Sequence, residues 1–305
     1  MTELNAFDAS QLTEAQRTAA DIIRWDLKSQ VEGQAFDDYE FPLSLGGAHA
    51  NLVSLLTVNH PLITPRDVDN YIARLRLLAA RMDESIAEAR RIAGKKVLPP
   101  KFLLERVASQ IRSFLDIPAE KNPLVTTLAD RTAQMQNLTP AHRQELLTKA
   151  QQLTISAVYP AWSRALAFVE SQIPKATTDA GIWRFPDGVE GYAYELRRFT
   201  TTNRSADEIH ELGLKMVAEI EGRMDTVLRQ LGYTEGAVRA RMDRLRADQP
   251  QFANNEEGRA QYKAYIADLI KDAERRASLL FDRVPKMPVI AQAYPDCTQL
   301  LAWND

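Results

Sequence analysis

Between Thr64 and Gly94 the chain carries one unbroken helical stripe. Thr64-Pro-Arg-Asp67 opens it, with proline at the first helical position, where its missing N–H costs nothing. Val68, Tyr71, Ile72, Leu75, Leu78, Met82, Ile86 and Ala89 follow at spacings of three and four, the period of one helix face. At 1.5 Å per residue such a segment is about 43 Å long. A strut of this length with a single apolar face needs other helices to cover it.

Those helices are legible elsewhere. Thr13-Glu-Ala-Gln16 has capping-box spacing, and Ala20, Ile23, Leu27 and Val31 follow before Gly33. Pro99-Pro100 opens a helix through Leu103, Val107, Ile111 and Leu115. Thr139-Pro140 opens another, interrupted by Pro160, which must kink or split it because proline removes a backbone donor and crowds the preceding turn. Ser205-Ala-Asp-Glu208 is a capping box ahead of Ile209, Leu212, Met216, Ile220, Val227 and Leu231, and Asn254-Asn-Glu-Glu257 starts the last long helix. Only residues 287–293 read as a strand. The expected fold is all-α or nearly so, of antiparallel long helices. It is expected as a single helical domain over residues 1–295, with a possible subdivision near 175–182 and an irregular tail at 296–305.

Composition narrows the function. The net charge is −3, and phosphate binding needs a surplus of Lys and Arg, so no nucleic-acid partner is expected. No apolar run reaches the ~18–20 residues that span a bilayer, so no membrane is expected either. The N-terminal residues lack a hydrophobic stretch and do not read as a signal peptide; as written, the chain is expected in the cytoplasm. The lone Cys297 excludes a disulfide framework and reads as an incidental thiol.

Metal and nucleophile chemistry find little footing. His210-Glu211 begins an H-E-x-x-H pattern, but Leu214 stands where the second imidazole belongs. No two of the four histidines, His49, His60, His142 and His210, lie three or four apart. No G-x-S-x-G elbow and no phosphate-binding glycine loop occurs. The four arginines of residues 239–246 read as a solvated helix face.

The most unusual stretch is 183–204. It packs aromatics, charges and three threonines around Pro186-Asp187-Gly188. Tyr192 and Tyr194 carry hydroxyls on apolar rings, suited to gripping a peptide or small ligand. Thr200, Thr201 and Thr202 precede a helix N-terminus, where anions are favoured. The same residues equally suit a Tyr-rich core helix followed by a capped loop.

This stretch, with Asp207-Glu-Ile-His210-Glu-Leu-Gly213-Leu214, Ile220 and Met224, resembles the bacterial family called domain of unknown function 885. Tyr39-Glu-Phe-Pro42 with Gly47 and His49, Tyr71-Ile-Ala-Arg-Leu75, Leu98-Pro-Pro100 and Phe281-Asp-Arg-Val-Pro285 add to the resemblance. It covers roughly residues 10–295. Members of that family look like zinc metallopeptidases with a deep helical cleft. The resemblance therefore implies peptide or amide hydrolysis in full-length relatives, some of them exported. The family's metal motif follows the region matched here, so zinc is implied only for those relatives and no metal ligand carries over. What carries over is a candidate substrate-side wall: Asp187, Gly188, Tyr192, Tyr194, Thr200, Thr201, Thr202 and His210.

Three readings remain. The chain is a truncated metallopeptidase-like protein, inactive alone, that pairs with a separate C-terminal half. Or it is a helical peptide-binding or scaffold protein without catalysis. Or it is an enzyme with an unorthodox site built on Glu190, Glu195 and His210.

Overall fold

The computed structural model describes residues 10, 12–133 and 135–291. Cys297 and the tail at 296–305 lie outside the described residues, as do positions 292 and 293 of the expected strand. Every regular element among the described residues is helical. Residues 287–291 are irregular, without strand pairing. The chain divides into two compact units, one ending at Asn203 and the next starting at Arg204.

The first unit begins with α1 (Glu14–Gly33), whose Thr13 and Gln16 form the expected capping box. A 3-10 turn (Gln34–Tyr39) leads to the short α2 (Ala48–Ser54). The long strut is α3 (Pro65–Gly94), capped reciprocally by Thr64 and Asp67. Two hydrogen bonds from Thr64 hold the Asp67 carboxyl below the usual carboxylate range. All eight residues of the predicted α3 stripe are buried. Next come α4 (Lys101–Leu115), α5 (Pro123–Thr132), α6 (Pro140–Leu153), α7 (Tyr159–Gln172) and α8 (Gly188–Thr200).

Helix α7 packs against both α3 and α4 and anchors the core. Its Trp162 is fully buried, and its indole Nε1 donates to the carbonyl of His49 at 3.2 Å, giving the buried N–H a partner. At Pro160 the pattern divides into two helices. A π-helical turn (Thr154–Val158) joins α6 to α7 and places Pro160 in the first turn of α7, where no N–H is needed. Leu104, Val107, Ile111, Leu124, Leu128 and Trp162 share one continuous core with the α3 stripe and are almost completely buried. Tyr71 ties α3 to α5 through its hydroxyl, which donates to Leu124 O at 2.8 Å.

In the second unit lie α9 (Ala206–Gln230), α10 (Val238–Ala247) and α11 (Glu256–Leu280). Ser205 and Glu208 form the predicted capping box. The unit buries little: Leu228 on α9, Arg241 on α10 and Gly258 on α11. The α9 stripe is therefore present but uncovered, with Met216 50% and Ile220 49% exposed. Arg241 departs from the solvated face expected of residues 239–246. It is 2% exposed, ion-paired with Asp225, and donates to Tyr233 O at 3.3 Å.

Candidate functional site

Helix α8 carries four of the eight predicted site residues, with Asp187 and Thr201 as its caps, and its two ends do different things. At the N-terminal end, Asp187 takes a left-handed conformation (φ 55°), which Asp tolerates better than most residues. Gly188 follows because there is no room for more: a Cβ there would lie 2.1 Å from the carbonyl oxygen of Ile182. The Pro-Asp-Gly turn thus seats α8 on the turn at Ile182–Arg184. Tyr39 locks the same corner, donating its hydroxyl to Pro186 O and setting its ring 5.1 Å from Phe185. Burial pushes the Tyr39 phenol up, and the charges of Asp187 and Glu190 push it further.

At the C-terminal end the three threonines close α8 rather than serve the next helix. Thr200 Oγ1 donates to Leu196 O at 2.6 Å and accepts from Thr202 N at 3.3 Å. Thr201 is left-handed (φ 51°) at the C-cap. Tyr194 is 6% exposed, and its hydroxyl donates to Ser29 O on α1 at 3.0 Å. It acts as a latch between α1 and α8. Tyr192 is exposed, as is His210, which belongs to the second unit.

Two hollows lie in the first unit, one lined by α8 and the other by the turn that precedes it. The smaller, 320 Å³, lies between α1 and α8 and brings Tyr194, Thr201 and Thr202 together with Trp25, Lys28 and Asn203. Two of its arginines are engaged, Arg197 with Glu32 and Arg198 with Glu195.

The larger hollow, 570 Å³, was not assembled from the sequence. Tyr39, Glu40, Phe41 and Pro42 form one wall, Leu98, Pro99 and Pro100 another, and Arg184 with Phe185 a third. Its floor is the turn before α2, where Gly46 supplies a positive φ of 69°. Gly47 is needed for close approach, since a Cβ would meet Pro42 O at 2.3 Å. Arg184 is pinned beneath it. Its Nη2 donates to Leu98 O at 2.6 Å, its guanidinium lies 4.3 Å from the Phe185 ring centroid, and its Nε is buried without a partner. Burial pulls its pKa down, against the pull of Asp179. Three of the stretches that carried the family resemblance thus meet around one space: residues 39–42, Gly47 and residues 98–100.

The donors among the described residues do not fit zinc. Among the described residues no group of three or more His, Cys, Asp or Glu side chains could hold a metal ion. His49 pairs with Gln110 at 3.0 Å. His60 lies between the carbonyl of Asp67 and the guanidinium of Arg74. His142 pairs with Glu145. A tetrahedral site needs convergent imidazoles, thiolates or carboxylates, and each of these imidazoles has a different partner. No helix among the described residues is long and apolar enough to cross a membrane.

Comparison with known proteins agrees with this architecture. No curated protein matches the chain significantly. A crystal structure of a protein from Colwellia psychrerythraea, designated a lipoprotein, is similar at 25% identity with a TM-score of 0.73. The match covers 81% of this chain and 42% of that one, so the chain spans less than half the length of that relative. A family model described as bacterial protein of unknown function (DUF885) matches residues 1–302, and the chain belongs to that family.

Proposed function

We propose that this chain is the peptide-holding helical portion of a metallopeptidase-like protein, and that hydrolysis requires further polypeptide bearing the metal. The observation that carries the reading is the 570 Å³ hollow of Tyr39, Glu40, Leu98, Arg184 and Phe185. Its volume suits a small ligand, and its walls combine aromatic and proline surface with few polar groups, the usual make-up of a binding pocket. Arg184 offers guanidinium donors to a carboxylate or carbonyl oxygen, and Glu40 offers a partner to an amino group.

The uncovered α9 stripe supports the same reading. Monomeric proteins rarely leave contiguous apolar surface open unless something docks there. The alternative, a complete peptide-binding scaffold without catalysis, shares the hollow but leaves that stripe without a purpose. The solved relative is designated a lipoprotein, and fractionation of the native host tests whether this protein shares that location.

The test is a titration of the purified chain with a pool of short peptides, followed by mass spectrometry, with zinc and with chelator. The expected result is binding without cleavage, weakened by Phe185→Ala and Arg184→Gln. Stoichiometric zinc with chelator-sensitive cleavage overturns the reading and makes the chain an enzyme in its own right.

A further inference from the structure

A third hollow lies away from α8, between α3 and α7, with a volume of 710 Å³. Ile86 and Phe168, both mostly buried, form its apolar floor. Around the rim stand Asp83, Arg90, Arg164 and Lys175. Arg164 is spoken for, because its Nε and Nη2 grip Asp83 at 2.9 and 2.8 Å. That bidentate pair cancels one charge of each sign. Arg90 and Lys175 have no acidic partner among the described residues. Arg90 rests instead 5.8 Å from the Phe168 ring centroid, a contact that orients the guanidinium without using up its N–H donors.

Beside them Gln172 is 6% exposed. Its Nε2 donates to Ser171 Oγ at 2.8 Å, and Ser171 Oγ donates in turn to Phe168 O at 2.6 Å. The rim thus holds two unneutralised cations on a chain of net charge −3. The C-terminal end of α7 opposes an anion here with about half a negative charge, which two full positive charges outweigh.

We propose that this hollow binds an organic carboxylate with an apolar body, such as the C-terminus of a peptide ending in a large apolar residue. The carboxylate sits between Arg90 and Lys175, and the apolar body covers Ile86 and Phe168. A bare inorganic anion gains nothing from that floor, so the chemistry selects an amphipathic acid. The site is distinct from the hollow beside α8 and does not depend on that reading.

The experiment titrates the whole chain with N-acetyl-phenylalanine, with its amide and with inorganic phosphate, following binding by calorimetry and NMR. The acid is expected to bind about tenfold more tightly than the amide, the worth of one charge-assisted hydrogen bond. Arg90→Gln and Lys175→Gln are expected to weaken the acid, while Arg90→Lys, which keeps the charge, retains most of the binding. Unchanged circular dichroism shows that the variants fold. Equal binding of acid and amide, or phosphate binding as tightly as the acid, overturns the proposal, as does no binding at all.

Discussion

Gly33 and Tyr194 compete for one space. A Cβ on Gly33 would lie 2.2 Å from the Tyr194 hydroxyl oxygen and 2.7 Å from its Cζ. The hydroxyl cannot swing aside freely, because it donates to Ser29 O and the ring stacks 5.4 Å from Phe36. Glycine at the end of α1 therefore lets α8 close on it. Gly33→Ala is expected to destabilise the first unit by about 1–3 kcal/mol, the usual cost of overpacking. In a Tyr194→Ala background the sign reverses, because the space is empty and alanine is the better helix former by up to about 1 kcal/mol. Thermal melts of the four proteins in this cycle measure both effects. A Gly33→Ala variant as stable as the parent contradicts the packing.

His49 makes stability depend on pH. Burial pulls its pKa below the ordinary 6.5, and the Gln110 hydrogen bond opposes this only in part. With Nε2 donating to Gln110, Nδ1 keeps a buried lone pair without a partner. The folded chain therefore resists a proton that the unfolded chain accepts. Above 6.5 both states hold His49 neutral and nothing changes. As pH falls below 6.5 the unfolded state binds more protons, and stability is lost until the lowered folded pKa is passed. Denaturant midpoints measured from pH 8 to 5 are expected to fall in this window, and His49→Gln to flatten that part of the curve. A parent curve as flat as that of the variant removes His49 as the cause.

Legibility from sequence followed burial. The α3 stripe and its proline start, the capping boxes of α1 and α9 and the interruption at Pro160 are all readable, because each rests on local spacing. The sequence leaves Tyr194 either a ligand hydroxyl or a core residue, and its role as a latch to Ser29 is not legible because that partner lies 165 positions away. The threonines suit either an anion-binding start of α9 or a capped loop, and that they close α8 depends on the left-handed turn at Thr201. The larger hollow joins residues near 40, 98 and 184. Only the tertiary fold brings them together, although the family resemblance marks all three stretches. Ile23 and Val31 of α1 keep the predicted spacing yet stay exposed, because periodicity names a face without naming what covers it.

Arg241 is the clearest departure from a surface reading, and it can be tested. Its guanidinium is buried, paired with Asp225 and bonded to Tyr233 O, while Nε has no partner. The hydrogen bonds of Arg229 and Arg241 hold the Asp225 carboxyl below the usual carboxylate range. Asp225→Ala strands a buried cation, whereas replacing both residues by apolar ones removes the stranded charge. Asp225→Ala is therefore expected to melt lower than the double variant Asp225→Leu/Arg241→Met. The reverse order shows that the pair stabilises the second unit beyond covering Arg241.

The uncovered stripe of α9 yields the last expectation. Leu212, Met216, Ile220, Val227 and Leu231 are all exposed, and α11 adds Leu269, Leu279 and Leu280. Because these side chains touch little, charging them should not disturb the fold of their own helix. Met216→Lys with Ile220→Lys is expected to leave the helical circular dichroism and the melt nearly unchanged, within the ±0.5 kcal/mol usual for surface changes. The same pair should sharply reduce binding of an apolar dye and abolish association with the further polypeptide proposed to complete the protein. Each side chain matters to docking and not to folding only if the stripe faces a partner. If the two lysines instead unfold the second unit, the stripe belongs to the core of that unit and the docking argument fails.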